Sequence, residues 1–170
     1  VRDVIAPGLR ILFCGINPGL YSGAVGRHFA RPGNRFWKAL AGSGLTREEM
    51  SPFEERKLLD RGLGITNLVG RATARANELS AEEMRGGLGA LTVKAGRYKP
   101  GYVAMLGIGA YRTAFGRREA ELGLRPETIA GSRLWLLPNP SGLNAHYSVD
   151  DLSRLFGDLS SAAFGSGSGS

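Results

Sequence analysis

RILFCGINPGL, residues 10–20, starts as a strand and finishes as a tight turn. Arg10 to Gly15 is a short apolar run closed by a glycine, the pattern of a strand buried on both faces. The continuation, Gly15-Ile16-Asn17-Pro18-Gly19-Leu20, holds too much Gly, Asn and Pro to extend a strand or a helix, and reads as a rigid polar loop. Three later stretches repeat the strand pattern: GITNLV at 64–69, YVAML at 102–106 and RLWLL at 133–137. The last of them also runs into a loop of turn residues, Pro138-Asn139-Pro140-Ser141-Gly142-Leu143-Asn144.

Helix signals fill the intervals. Phe36, Trp37 and Leu40 share one face of a helix over Asn34–Leu40, which Gly42 and Gly44 stop. Ser51-Pro52-Phe53-Glu54 is a capping box with proline at the first helical position, and opens a helix to about Asp60. Ser80-Ala81-Glu82-Glu83 opens another, which must stop before Pro100. A further helix starts near Gly109, and Ser148-Val149-Asp150-Asp151 caps the last, which runs to about Phe164. Strands that alternate with helices predict an α/β fold of three layers, α/β/α, around a mostly parallel sheet. Residues 1–164 read as one domain, and GSGSGS at 165–170 as a flexible tail outside it. Ligands of such sheets bind beyond the carboxyl ends of the strands, where the two Pro/Gly/Asn loops lie.

Charge narrows the partner. Lysine and arginine total 22 against 15 acidic residues, a formal charge of +7. Only Lys38, Lys57, Lys94 and Lys99 are lysines, so arginine dominates. An arginine-rich basic domain suits the phosphate backbone of a nucleic acid, while an arginine-biased composition with no such role is the alternative. Cys14, the only cysteine, excludes an intramolecular disulfide and a cysteine-built zinc site or iron–sulfur cluster, and suits a reducing cytoplasm. The two histidines are too few for a three-histidine metal site. Residues 1–10 carry no apolar core of a signal peptide, and the apolar run at 102–110 is too short to span a bilayer.

GINPG (15–19), HFARPGNRFWK (28–38) and LPNPSGLN (137–144) together resemble the mismatch-specific uracil-DNA glycosylases, the branch of the uracil-DNA glycosylase superfamily that includes the thymine-DNA glycosylases. The similarity runs from Ile5 to about Phe164. It implies a uracil-DNA glycosylase-like fold and a monofunctional, monomeric, cytoplasmic enzyme of base excision repair with no metal and no cofactor. Its partner would be double-stranded DNA with uracil in a mismatch; G·T and ethenocytosine are the open extensions. By resemblance, Asn17 positions the hydrolytic water, Ile16 and Phe29 hold the base, and Asn67 reads the pyrimidine edge. Space at Ser22, Gly23 and Ala24 decides whether a 5-methyl group is admitted. Gly142, Leu143 and Asn144 match the wedge that enters the duplex, and Asn139 stands where classical uracil glycosylases carry a histidine.

These residue types suit the chemistry. Cleavage passes through an oxocarbenium-like state, and uracil leaves as a delocalised anion that hydrogen-bond donors can stabilise. No Asp or Glu lies between Asp3 and Glu48, or between Glu127 and Asp150, so neither motif loop holds an acidic base. Asn17 cannot take a proton but can orient a water; a plain turn residue before proline is the alternative. Ser141 either bonds a phosphate or satisfies its own turn. His28 and His146 read as phosphate contacts or solvated loop residues. Arg27, Arg31, Arg35, Arg71 and Arg75 read as backbone clamps or a solvated face, and Asp60 as a structural carboxylate or an auxiliary base. A nucleotide-binding domain and a non-catalytic binder of damaged DNA are the rival functions; the first lacks its glycine-rich turn after strand one.

Overall fold

A computed structural model describes residues 1–165 of the chain; the rest of the expected tail, Ser166–Ser170, lies outside the described residues. Five strands form one sheet in the order β2-β1-β3-β5-β4: β1 Ile11–Gly15, β2 Leu63–Asn67, β3 Tyr102–Leu106, β4 Gly123–Ile129 and β5 Ser132–Leu137. The pairs β1–β2, β1–β3 and β3–β5 are parallel and β4–β5 is antiparallel. Five α-helices join them: α1 Leu20–Val25, α2 Phe36–Gly42, α3 Ala81–Tyr98, α4 Ile108–Phe115 and α5 Val149–Phe164.

The three layers follow from the pleat. Ile11 and Phe13 of β1 pack with Phe36 and Leu40 of α2 and Phe156 of α5 on one face. Cys14, together with Val103 and Met105 of β3, packs with Leu91 of α3 and Tyr111 of α4 on the other. Alternate residues of each central strand therefore serve opposite faces, and the strand reads as a continuous apolar run. Phe13 anchors the first face, edge-on to Phe36 at 5.3 Å and stacked on Phe156 at 5.7 Å.

The four expected strands are present. Strand β4 has no sequence signal: LRPET lacks a β-branched run, half-buries only alternate positions and carries Pro126, which an edge strand tolerates. It returns to β5 through Ala130 and Gly131, both at positive φ, the geometry of a tight hairpin turn without its usual Asn-Gly signature. The stretch opened by Ser51 forms its capping box as read, but Pro52–Arg61 winds as a 3-10 helix, burying Glu55 and Leu58 three residues apart. Helix α1 also lacks a sequence signal, since LYSGAV has neither a side-chain cap nor an apolar stripe. Among the described residues no helix is long and apolar enough to cross a membrane, and no cluster of His, Cys, Asp and Glu could hold a metal.

Cys14 is fully buried, and burial pushes its thiol up to about 12. The folded protein should therefore resist a thiol reagent at pH 8 and release one equivalent on unfolding. Immediate labelling of the folded chain would contradict this core.

Candidate active site

Parallel pairing places Gly15 beside Asn67, so the loops that follow β1 and β2 leave the sheet together. They stay paired beyond the strands: Leu68 and Val69 donate their N–H groups to the carbonyls of Gly15 and Ile16. The loop after β5 closes the third side. The resulting cavity, about 120 Å³, is lined by Ile16, Asn17, Ser22, Phe29, Asn67, Asn139, Ser141 and Leu143. These residues lie as far apart in the chain as 16 and 143. Gly142 and Asn144 do not line it; Asn144 and His146 border a neighbouring depression at the start of α4.

Asn17 is held in one orientation. Its Nδ2 donates to the Arg71 carbonyl and to Thr73 Oγ1, both at 2.8 Å, and Thr73 Oγ1 donates on to the Arg75 carbonyl at 2.8 Å. Only the amide nitrogen can face a carbonyl, so both its hydrogens are used and Oδ1 is left as an acceptor. Thr73 is buried and had no sequence signal, being a lone threonine 56 positions away. No carboxylate lines the cavity. Asp60 sits elsewhere, exposed beside Thr46 and Arg61, and does not serve this cavity as an auxiliary base.

Phe29 is one of three non-glycine residues with positive φ, at 50°. That conformation costs about 1–2 kcal/mol for an L-residue. It is held by its neighbours: the ring stacks on Phe36 at 4.2 Å, and His28 before it is pinned through its main chain. The His28 N–H donates to buried Glu55 Oε1 at 2.8 Å, and its carbonyl accepts from Trp37 Nε1 at 3.2 Å. His28 is itself buried, 2% exposed, so it is neither a phosphate contact nor a solvated loop residue. Burial lowers its pKa, outweighing the hydrogen bond to Arg2 and the nearby Glu55. Ser22 is buried too, its Oγ accepting the Ala30 N–H at 3.0 Å.

The loop after β5 is self-bonded. Asn139 Oδ1 accepts the Ser141 N–H at 3.0 Å, Ser141 Oγ accepts the Leu143 N–H at 3.2 Å, and Asn144 Nδ2 donates to the Asn139 carbonyl at 3.1 Å. The Ser141 oxygen thus satisfies its own turn, with the hydroxyl hydrogen left over. Gly142 crosses the backbone of Gly33, where a Cβ would lie 2.8 Å from the Gly33 oxygen. Leu143 stands 60% exposed at the tip.

Arg35 holds this loop down. Its guanidinium donates to the carbonyls of Ser141 at 2.8 Å, Asn144 at 2.7 Å and Tyr147, while Nε reaches Pro140 at 3.4 Å. Four of its five donors are used on this loop, so it is a staple rather than a backbone clamp. Arg71 is no free clamp either, since it binds Glu83 through two nitrogens at 2.9 Å. Arg27 lies over the Phe53 ring. Arg31 and Arg75 remain: both line the cavity, both are exposed, and neither guanidinium pairs with a carboxylate among the described residues, although the Arg75 N–H donates to Glu78.

The model of the family described as Uracil DNA glycosylase superfamily matches residues 2–160.

Arg35→Lys should loosen the loop after β5, because a point ammonium cannot span carbonyls that a planar fork reaches together. Amide exchange at Leu143 and Asn144 should rise about tenfold or more, the value of roughly one charged hydrogen bond, with little change in the sheet. Unchanged exchange at those amides would show that the staple is dispensable.

Proposed function

The chain belongs to the uracil DNA glycosylase superfamily, and we propose that within it the chain is a mismatch-specific, monofunctional glycosylase that extrudes uracil from double-stranded DNA and hydrolyses its N-glycosidic bond. DNA is its substrate and glycosidic hydrolysis its chemistry. The proposal is the finer part: a G·U preference in duplex DNA, extension to G·T or ethenocytosine, and action as a cytoplasmic monomer.

The observation that carries this reading is the Asn17 amide. Both its hydrogens are bonded inside the protein, which leaves its oxygen as an acceptor, and the residue lines a cavity that holds no carboxylate. It aligns a water on the sugar carbon without removing its proton beforehand. As the water oxygen bonds to C1′, the glycosidic bond breaks and its electron pair leaves on N1 of uracil; the water then loses a proton to solvent. Donors around the base take up the anionic charge. Asn139 supplies one, since its oxygen is held by Ser141 and its amide nitrogen has no partner among the described residues. Ile16 and Phe29 hold the base and Asn67 reads its edge. Leu143 fills the space the nucleotide leaves, helped at a mismatch by the lower cost of opening it.

Incubation with a G·U duplex, followed by alkali, should cut the uracil strand. Asn17→Ala should reduce single-turnover cleavage on the order of a hundredfold while duplex binding persists. A rate within about threefold of the parent, under 1 kcal/mol of barrier, would reject the water-positioning role. No cleavage by the parent on any uracil duplex would favour a non-catalytic binder.

Binding should weaken with salt at a slope of about −0.9 per phosphate neutralised. Arg31→Ala and Arg75→Ala should each lower that slope by about one, and Arg71→Ala should leave it unchanged because Glu83 already neutralises it. A slope that responds to Arg71 and not to the other two would reverse this assignment.

A further inference from the structure

The buried ring of His28 has no part in the reading above, yet it touches Asn67. Its Nε2 lies 2.8 Å from the Arg2 carbonyl, and its Nδ1 lies 3.4 Å from Asn67 Nδ2. A carbonyl oxygen offers no proton, so Nε2 must carry the hydrogen. In the neutral ring Nδ1 is then a bare lone pair, and burial favours the neutral ring. A lone pair attracts the amide nitrogen of Asn67 and repels its oxygen. The other side of the amide meets Gly15, where a Cβ would lie 2.7 Å from Asn67 Oδ1. Only glycine leaves room for the oxygen there.

We propose that His28 is a specificity-positioning residue: its Nδ1 lone pair fixes the Asn67 amide in the orientation that matches uracil and opposes the one that matches cytosine. The inference rests on the proposed reading of Asn67 as the residue that meets the base edge. With one amide hydrogen on His28, Asn67 offers the cavity Oδ1 as acceptor and its second N–H as donor. Uracil presents the complement, an N3–H donor beside the O4 acceptor. Cytosine presents the inverse, an N3 acceptor beside an amino donor, and would need the amide turned over. Turning it over sets Oδ1 against the Nδ1 lone pair. The main-chain bonds from His28 to Glu55 and Trp37 keep the ring from moving aside.

Nitrogen-15 NMR of the imidazoles of the full chain should report His28 as the Nε2–H tautomer; the Nδ1–H tautomer overturns the proposal. His28→Gln keeps a donor for the Arg2 carbonyl and removes the Nδ1 acceptor. It should slow single-turnover excision of uracil from G·U about tenfold, the worth of one hydrogen bond to a base edge, and raise excision of cytosine from G·C relative to uracil. In an Asn67→Ala background the same substitution should change neither rate. Equal losses in both backgrounds mean a merely structural histidine and overturn the proposal. If Asn67→Ala alone leaves uracil excision at the parent rate, the base-reading assignment of Asn67 fails instead.

Discussion

Gly15 has no side chain, and the candidate site is arranged around that vacancy. Parallel registry sets it opposite Asn67, and the space a Cβ would fill holds Asn67 Oδ1 at 2.7 Å and the edge of the Phe29 ring at 3.2 Å. Two residues that the chain separates by 38 positions thus meet over a single Cα. Any other residue at 15 would push apart the amide and the ring, and with them the loop that carries Asn17. The sheet fixes this meeting point because β1 is an interior strand, held by β2 on one side and β3 on the other.

The site is held without an ion pair. Asn17 is oriented by a carbonyl and a hydroxyl, Asn67 by an imidazole, and the loop after β5 by its own amides and by Arg35. The carboxylates that matter stand behind it: Glu55 holds the His28 main chain, and Asp3 accepts from Thr66 and pairs with Lys94, tying the chain start to β2 and α3. Keeping acids out of the cavity leaves the basic surface uncancelled where a phosphate backbone would approach. In the proposed reaction it leaves orientation, rather than proton transfer, as the source of the rate.

Much of this was legible in the sequence, and the gaps have physical causes. Strands β1 and β3 are continuous apolar runs, β2 and β5 carry apolar cores, and the boxes at Ser80 and Ser148 form as read, with Ser80 Oγ accepting the Glu83 N–H and Ser148 Oγ the Asp151 N–H. Strand β4 was invisible because an edge strand buries one side only and its turn uses Ala130 where a stronger signal would be Asn. Loop composition drew attention to the turns after β1 and β5, and the family resemblance added Ser22, Phe29 and Asn67, but neither could say what each side chain bonds to. Arg35 and Arg71 look alike as letters; one is tied to main-chain carbonyls over 100 positions away and the other to Glu83. Thr73 and Glu55 carry no motif, and their importance arises only from contacts with Asn17 and His28. His28 was read as a loop residue because its burial depends on Arg2 and Glu55, neither of which is near it in the chain.

Exposed Leu143 is the one large apolar side chain that the loop after β5 holds away from the core. An exposed leucine on a mobile loop would gain little by entering a duplex, because ordering the loop would offset the stacking it restores. Here the ordering is done beforehand. The N–H of Leu143 is bonded to Ser141, Gly142 is seated against Gly33, and the carbonyls on both sides of the tip are held by Arg35. Arg35 leads directly into α2, whose Phe36 packs on Phe13 of β1 and on Phe29. The proposed wedge and the proposed base pocket are therefore mounted on the same two consecutive residues, so a nucleotide pushed from the stack by one would arrive at the other without a change in the relative position of the two.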